Sequence, residues 1–158
     1  MTVIPSAFLS PEGLVVAHHS GGTVLDRRSI RPFLHLGTLE QARSRAGRVV
    51  TRVTARVAPC ARVMDRGENS WRADRLARHE RACRGWIVYL NRFEGLDLDR
   101  YMEAKRTRPA LDELSDAAFR RLVPSARDSL VLLDPFLVIS CEVVANGSDD
   151  VERCVRAA

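Results

Sequence analysis

Nothing in the chain approaches the run of roughly 20 apolar residues that crosses a bilayer. The opening Met1-Thr2-Val3-Ile4-Pro5 lacks the basic region and apolar stretch of a cleaved export signal. These absences point away from a membrane and toward a protein made soluble in a cytoplasm; delivery as an effector without a cleaved signal would leave no such trace. Paired cysteines are missing too. Cys60, Cys83, Cys141 and Cys154 stand far apart with no C-x-x-C, which argues against a zinc ribbon or a redox motif and for reduced thiols. His79 and Cys83 share a helical spacing, but two ligands do not make a structural metal site, so no metal is expected. Lysine is almost absent: Lys105 stands alone beside twenty-four arginines, and the net charge of +5 is spread along the whole chain. A nucleic-acid binder more often concentrates its basic residues on one element. Here Arg72, Arg75, Arg78, Arg81 and Arg84 are interleaved with Asp74 and Glu80, which reads as a solvated helix face. Nucleic acid is the remoter partner, and its binding would weaken steeply with salt. No repeat and no low-complexity segment is present.

What is present is enough for one domain over residues 1–158, with a core that needs no staples. Leu14 to His18 reads as a first strand, entered from Pro11-Glu12-Gly13 and left through Gly21-Gly22. Pro32 to Leu36 reads as a second. Thr38 can cap a helix from Leu39 to Ala46, with Gly47 as its stop. Val49 to Val57 alternates as a strand, with Val49, Thr51, Val53, Ala55 and Val57 on one face and Arg52, Thr54 and Arg56 on the other. A helix is predicted from Ser70 to Arg84, then a buried strand over Trp86 to Leu90. Polar residues from Glu94 to Arg108 break the pattern, and Leu111, Leu114, Ala118 and Leu122 mark a helix bounded by Pro109 and Pro124. Ser129 to Leu133 and Leu137 to Val144 are the last strands, and the tail from Asn146 is read as peripheral.

Two short segments stand out: Ala17-His18-His19-Ser20-Gly21-Gly22 and Phe33-Leu34-His35-Leu36-Gly37-Thr38. Each ends an apolar run at a histidine close to a glycine. A strand ending this way holds an imidazole at a sheet edge, and the glycine lets a ligand approach the backbone. A single histidine on an apolar face is more often a satisfied core residue; two such strand ends are harder to explain by packing. Tyr89, Trp71 and Trp86 read as core aromatics, and Asn91 and Glu94 could simply shape the turn after their strand.

The order of these motifs over residues 14–144 resembles the ADP-ribosyltransferase superfamily, in particular small phage and bacterial toxin- or effector-like members similar to the poly(ADP-ribose) polymerase catalytic domain. In that family an opening strand ends in His-Gly-Thr or His-Gly-Ser, matched here by His18-His19-Ser20-Gly21, with His19 the better fit. A second strand carries a Tyr and leads into an Ala-rich helix, matched by Phe33 to Ala42 with His35 in place of that Tyr. Gly85 to Gly95 resembles a run that small members carry, and Arg127 to Pro135 resembles the strand bearing the catalytic Glu.

The resemblance implies an α+β fold, a split β-sandwich of two small, mostly antiparallel sheets with flanking helices. The helical insert at about 100–124 is not part of that core resemblance; its position between the two motifs nearest catalysis suggests that it would lie beside the cleft and select the acceptor. It implies NAD as substrate, with ADP-ribose transferred singly to a protein, nucleic acid or small-molecule acceptor. His19 would bond a ribose hydroxyl, the backbone at Ser20 and Gly21 would meet the carboxamide, and His35 would stack on the nicotinamide, titrating where a Tyr would not. Gly37, Thr38, Tyr89 and Asn91 complete the implied NAD site. The departure is Ser129, which stands where the family has its Glu, and a hydroxyl cannot offset a cationic sugar. Glu94 is the best replacement, with Asp128 and Glu142 behind it, so Glu94 and His35 are the implied catalytic pair. The alternative is a binding module: a relative that recognises NAD, ADP-ribose or a protein without turnover.

Overall fold

The computed structural model describes residues 2–45 and 49–144. Among them seven strands form two sheets. The first contains β1 (Val15–Gly21), β3 (Val49–Ala55) and β7 (Val138–Val143), in the order β1-β3-β7 and antiparallel throughout. The second runs β2-β6-β5-β4, from β2 (Leu34–Leu36), β6 (Asp128–Leu132), β5 (Trp86–Leu90) and β4 (Cys60–Arg62). All its pairs are antiparallel except β4 with β5. Parallel neighbours need a crossover, and here α2 (Ala73–Cys83) supplies it. The expected α+β architecture of two small, mostly antiparallel sheets is therefore present.

Period-two alternation explains how the sheets meet. Val15, Ala17, Val53, Ala55 and Val138 from the first sheet pack against Leu36, Trp86, Val88, Leu130 and Leu132 from the second. The opposite face of the second sheet buries Ile87, Tyr89, Val131 and Leu133 with Leu76 of α2. With both faces covered, β5 is buried at all five positions, which is why its sequence is an unbroken apolar run. Each fully buried large apolar side chain contributes roughly 1.5–3 kcal/mol. Gly85 admits the β4–β5 pairing: a Cβ there would lie 2.2 Å from the Pro59 carbonyl oxygen, which accepts the Trp86 N–H at 3.1 Å.

Several boundaries differ from the sequence reading. β1 does not stop at His18 but pairs with β3 through to Gly21. β2 is shorter than predicted, because Pro32 and Phe33 form a turn with Phe33 at φ 70°. α1 (Leu39–Arg43) ends before Ala46, and Gly47 lies outside the described residues, as does the tail from Asn146. The helix predicted from Ser70 begins as a separate 3-10 turn, Asn69–Trp71, because Arg72 is extended. The polar run after Glu94 contains a helix the sequence reading missed, α3 (Leu98–Thr107), capped by Asp97 through the Arg100 N–H. It buries Ala104 alone, so it carries almost no apolar stripe. The helix expected from Leu111 is a 3-10 turn followed by α4 (Asp116–Leu122), capped by Ser115.

α3 and α4 form the insert, which packs on Leu90 through Leu111, Phe119 and Val123. Arg92, fully buried, pins it in place. Its guanidinium donates to the Asp112 and Leu114 carbonyls at 3.0 and 2.7 Å and to the Asp116 carboxylate at 2.8 Å, and lies 4.8 Å from the Phe119 ring centroid.

Candidate active site

A single bridge joins the middle of β1 to Gly37, just past the end of β2. The His18 N–H donates to the Gly37 carbonyl and the Gly37 N–H to the His18 carbonyl, both at 2.8 Å. Directly opposed residues of antiparallel strands turn their side chains to one side, and so do residues two apart on one strand. His18, Ser20 and His35 thus share a face, whereas His19 shares the other with the core residues Ala17 and Leu36. Beyond β2 the same face continues to Tyr89 and Ser129, which are opposed across β5 and β6.

Over this face lies a small cavity of about 70 Å³, lined by both β1 histidines, Ser20, His35, Gly37, Gln41, Arg45, Tyr89, Asn91, Glu94 and Ser129. A larger, more open one of about 760 Å³ adjoins it, shares His35, Arg45, Tyr89, Asn91 and Glu94, and adds Asp65, Glu68, Trp71 and Phe93. Together they form one cleft. Among the described residues no group of three or more His, Cys, Asp and Glu is arranged to hold a metal ion.

The first turn of α1 shapes one wall. Thr38 and Gln41 form a capping box, in which the Gln41 Oε1 accepts the Thr38 N–H at 2.8 Å and the Thr38 hydroxyl accepts the Gln41 N–H at 3.2 Å. The Gln41 amide then donates to the Ser129 hydroxyl at 3.0 Å. A Cβ on Gly37 would sit 2.8 Å from the Gln41 Oε1, so the glycine makes room for this side chain. Thr38, expected at the NAD site, caps the helix and is not part of the cavity wall. Gly21 is also outside that wall; a Cβ there would meet the His19 ring at 2.9 Å.

Of the histidines, His35 is the most closely held. Its Nδ1 lies 2.9 Å from the Tyr89 hydroxyl, and the Trp71 ring meets it edge-on with centroids 4.8 Å apart. Burial lowers its pKa below the ordinary histidine value, with Arg45 and His19 adding to the fall and Glu94 opposing it. The same desolvation pushes the Tyr89 hydroxyl well above its ordinary range, leaving a neutral phenol. His19 has its Nδ1 3.2 Å from the His35 carbonyl. His18 is different: it is 8% exposed, and neither ring nitrogen has a hydrogen-bond partner. The Ser20 hydroxyl, in a residue 7% exposed, is also unpartnered.

Glu94 reaches the cleft from the turn after β5. The Asn91 side-chain oxygen accepts the N–H groups of Phe93 and Glu94, at 3.2 and 2.9 Å, and so fixes that turn. Asn91 therefore builds the turn as well as lining the cavity. Arg45 forms an ion pair with the Glu94 carboxylate. Partial burial alone would raise the Glu94 pKa, but hydrogen bonding and charge from Arg45, with Asn91 and His35 behind them, hold it below the usual carboxylate range.

The sequence-predicted His19, Ser20, His35, Gly37, Tyr89, Asn91 and Glu94 thus converge on one cavity. The reserve carboxylates do not. Asp128 faces Arg62 and Arg120, and Glu142 is exposed on β7. The insert from α3 onward lines neither cavity. Sequence reasoning missed Gln41, Arg45 and the orphaned ring of His18. Period-two alternation would have distinguished His18 from His19 had the strand been carried to Gly21.

Taken together, fold and site define an α+β protein with a polar, histidine-rich cleft at the junction of two sheets. The chain matches no family model, no curated protein and no solved structure.

Proposed function

We propose that the chain is an NAD-dependent mono-ADP-ribosyltransferase of the split β-sandwich type, in which this cleft holds NAD. The reading is carried by one observation: an ionised carboxylate, Glu94, stands in the same cavity as His35, Tyr89 and the two β1 histidines. The cavity also offers a polar ligand buried hydrogen-bonding atoms without protein partners, in the His18 ring and the Ser20 hydroxyl.

In the reaction the bond between nicotinamide nitrogen and ribose C1 breaks heterolytically. The electron pair leaves with nicotinamide, and an acceptor nucleophile attacks C1 and gives up its proton. The transition state carries positive charge on the ribose, so a fixed carboxylate lowers the barrier. Glu94 supplies that charge in place of the family's Glu, whose position is held by Ser129, itself bonded to Gln41. Neutral His35 offers a flat ring for the nicotinamide, oriented by Tyr89. In this reading His19 bonds the ribose, the backbone at Ser20 meets the carboxamide and leaves the Ser20 hydroxyl free, and Arg45 moves off Glu94 when the sugar arrives.

The Arg45–Glu94 pair also favours the second reading, a module that binds NAD or ADP-ribose without turnover, because a carboxylate committed to a guanidinium is a weaker partner for a cationic sugar. Release of free nicotinamide from NAD, with cell extract supplying an acceptor, separates the two. The transferase reading expects release that falls about 100-fold or more in Glu94→Gln, the usual cost of removing a transition-state charge partner. Absence of release alongside retained ADP-ribose binding leaves the module.

A further inference from the structure

We propose that His18 and Ser20, with Arg52 beside them, seat a phosphoryl group of the ligand, apart from the ring and sugar positions formed by His35, Tyr89 and Glu94. The assignment of that phosphoryl to a dinucleotide rests on the NAD reading; the seat itself does not.

The first ground is hydrogen-bond satisfaction. Buried polar side chains in folded proteins nearly always have partners, and leaving one unpaired costs about 1–3 kcal/mol. His18 and Ser20, two residues apart on one face of β1, are both more than nine-tenths buried and both unpaired, and both border the cavity. Two unpaired neighbours facing one space are what a bound group would satisfy.

The second ground is the chemistry of the surroundings. Arg52 is the residue directly opposite His18 across β1 and β3, so its side chain emerges on the same face. Arg43, in the last turn of α1, is close enough to depress the His18 pKa together with Arg52, after burial itself, the largest cause. Across the cavity stand His35, Arg45 and Glu94, the last already paired with Arg45. Glu142, opposite Arg52 on β7, is on the far side of that arginine from His18. A group entering here meets a hydroxyl and an imidazole in the wall, with the charges of Arg52 and Arg43 close to His18 though outside the wall itself. It is best matched by one that brings several acceptor oxygens and negative charge. The small cavity, about 70 Å³ in all, is of phosphoryl size, so the ring and sugar of a dinucleotide belong to the adjoining larger cavity, which shares His35, Tyr89 and Glu94.

The seat also predicts a proton. Burial and the charges of Arg52 and Arg43 lower the His18 pKa, and an anion placed against its ring opposes them by favouring imidazolium, which donates from both nitrogens. Binding should therefore take up a proton and strengthen as pH falls through the histidine range.

Inorganic pyrophosphate is the probe, followed through the ring-nitrogen resonances of the ¹⁵N-histidine-labelled protein. Four histidines make assignment by single substitution straightforward. Pyrophosphate is expected to convert His18 to its doubly protonated form, and His18→Gln and Arg52→Gln should each weaken its binding about ten-fold or more. Arg52 is exposed, so its variant tests the seat without emptying a buried position. Pyrophosphate that fails to bind, binds both variants as it does the parent, or shifts other histidines while leaving His18 unchanged overturns the proposal. ADP-ribose is the second arm. If it binds and Arg52→Gln weakens it to the same degree, the seat takes the phosphoryl groups of a dinucleotide. If pyrophosphate binds through His18 and ADP-ribose does not, the seat stands and the NAD reading fails.

Discussion

His18 is buried and His35 partly buried, and an imidazole whose pKa is lowered by burial has a thermodynamic signature that does not depend on any ligand. Burial is the largest cause of the depressed pKa in each, below the ordinary 6.5. In the unfolded chain the same groups take up protons near the ordinary value, so the unfolded state binds more protons as the solution becomes acidic. The stability these residues permit is complete above about pH 6.5 and is lost as pH falls toward their folded values. The thermal midpoint should drop between pH 7.5 and 5.5, and His18→Gln should flatten that slope. An unchanged slope in the His18→Gln, His35→Gln double variant would refute this account. At this scale the sequence was informative about residue type and less so about direction. The paired histidine segments marked the cleft correctly. The choice of His19 over His18 came from the match to the family motif; both rings line the cavity, and alternation along the full strand is what sets their faces apart. Arg45 and Gln41 were invisible for another reason: they are ordinary polar residues in and just after a short helix, and only tertiary packing turns them toward Glu94 and Ser129.

The elements were legible in proportion to their apolar pattern. β3 and β5 carry alternation or an unbroken run and were read nearly to their ends. β4 has three residues and owes its existence to the neighbouring β5, and α3 buries one alanine, so neither carries a local signal. Beside its apolar packing on Leu90, the insert is held by one buried side chain. Arg92 supplies donors to two carbonyls that would otherwise face an interior without partners, and to the Asp116 carboxylate, which Arg62 also meets. Removing one partner of a buried ionic pair typically costs about 3–5 kcal/mol, well above a surface bridge. Arg92→Ala should lose stability of that order in urea denaturation, with accelerated amide exchange concentrated in α3 and α4. The exposed Arg72–Asp74 bridge gives the comparison: Arg72→Ala should change stability by less than about 1 kcal/mol. Equal losses in the two variants would show that the insert is not anchored through Arg92.

In the molecule as a whole, the cleft exists because two sheets that pack face to face are also bridged at their edge strands, where His18 in the middle of β1 meets Gly37 just past β2. That junction depends on the glycine for reasons of space, since its backbone is not in the left-handed region. A Cβ at this position would lie 2.8 Å from the Gln41 Oε1 and 3.2 Å from the Gln41 Cβ. The amide end could swing away on its own, but it is tied to the Thr38 N–H on one side and to the Ser129 hydroxyl on the other. Gly37→Ala therefore forces a choice among three costs: breaking the capping box, unpairing the buried Ser129, or opening the bridge between β1 and β2. Each is worth about 1–2 kcal/mol, so a loss of about 1–3 kcal/mol in urea denaturation is expected. Gly22, exposed and with nothing near an added Cβ, is the control, and Gly22→Ala should fall within about 0.5 kcal/mol of the parent. The second effect separates a local clash from a shared junction. If the bridge sets the distance between the β1 histidines and His35, the alanine variant should bind pyrophosphate and ADP-ribose more weakly even where it is fully folded. Weakened stability with undiminished binding would mean that Gln41 alone absorbs the strain and that the cleft is positioned by the core beneath it.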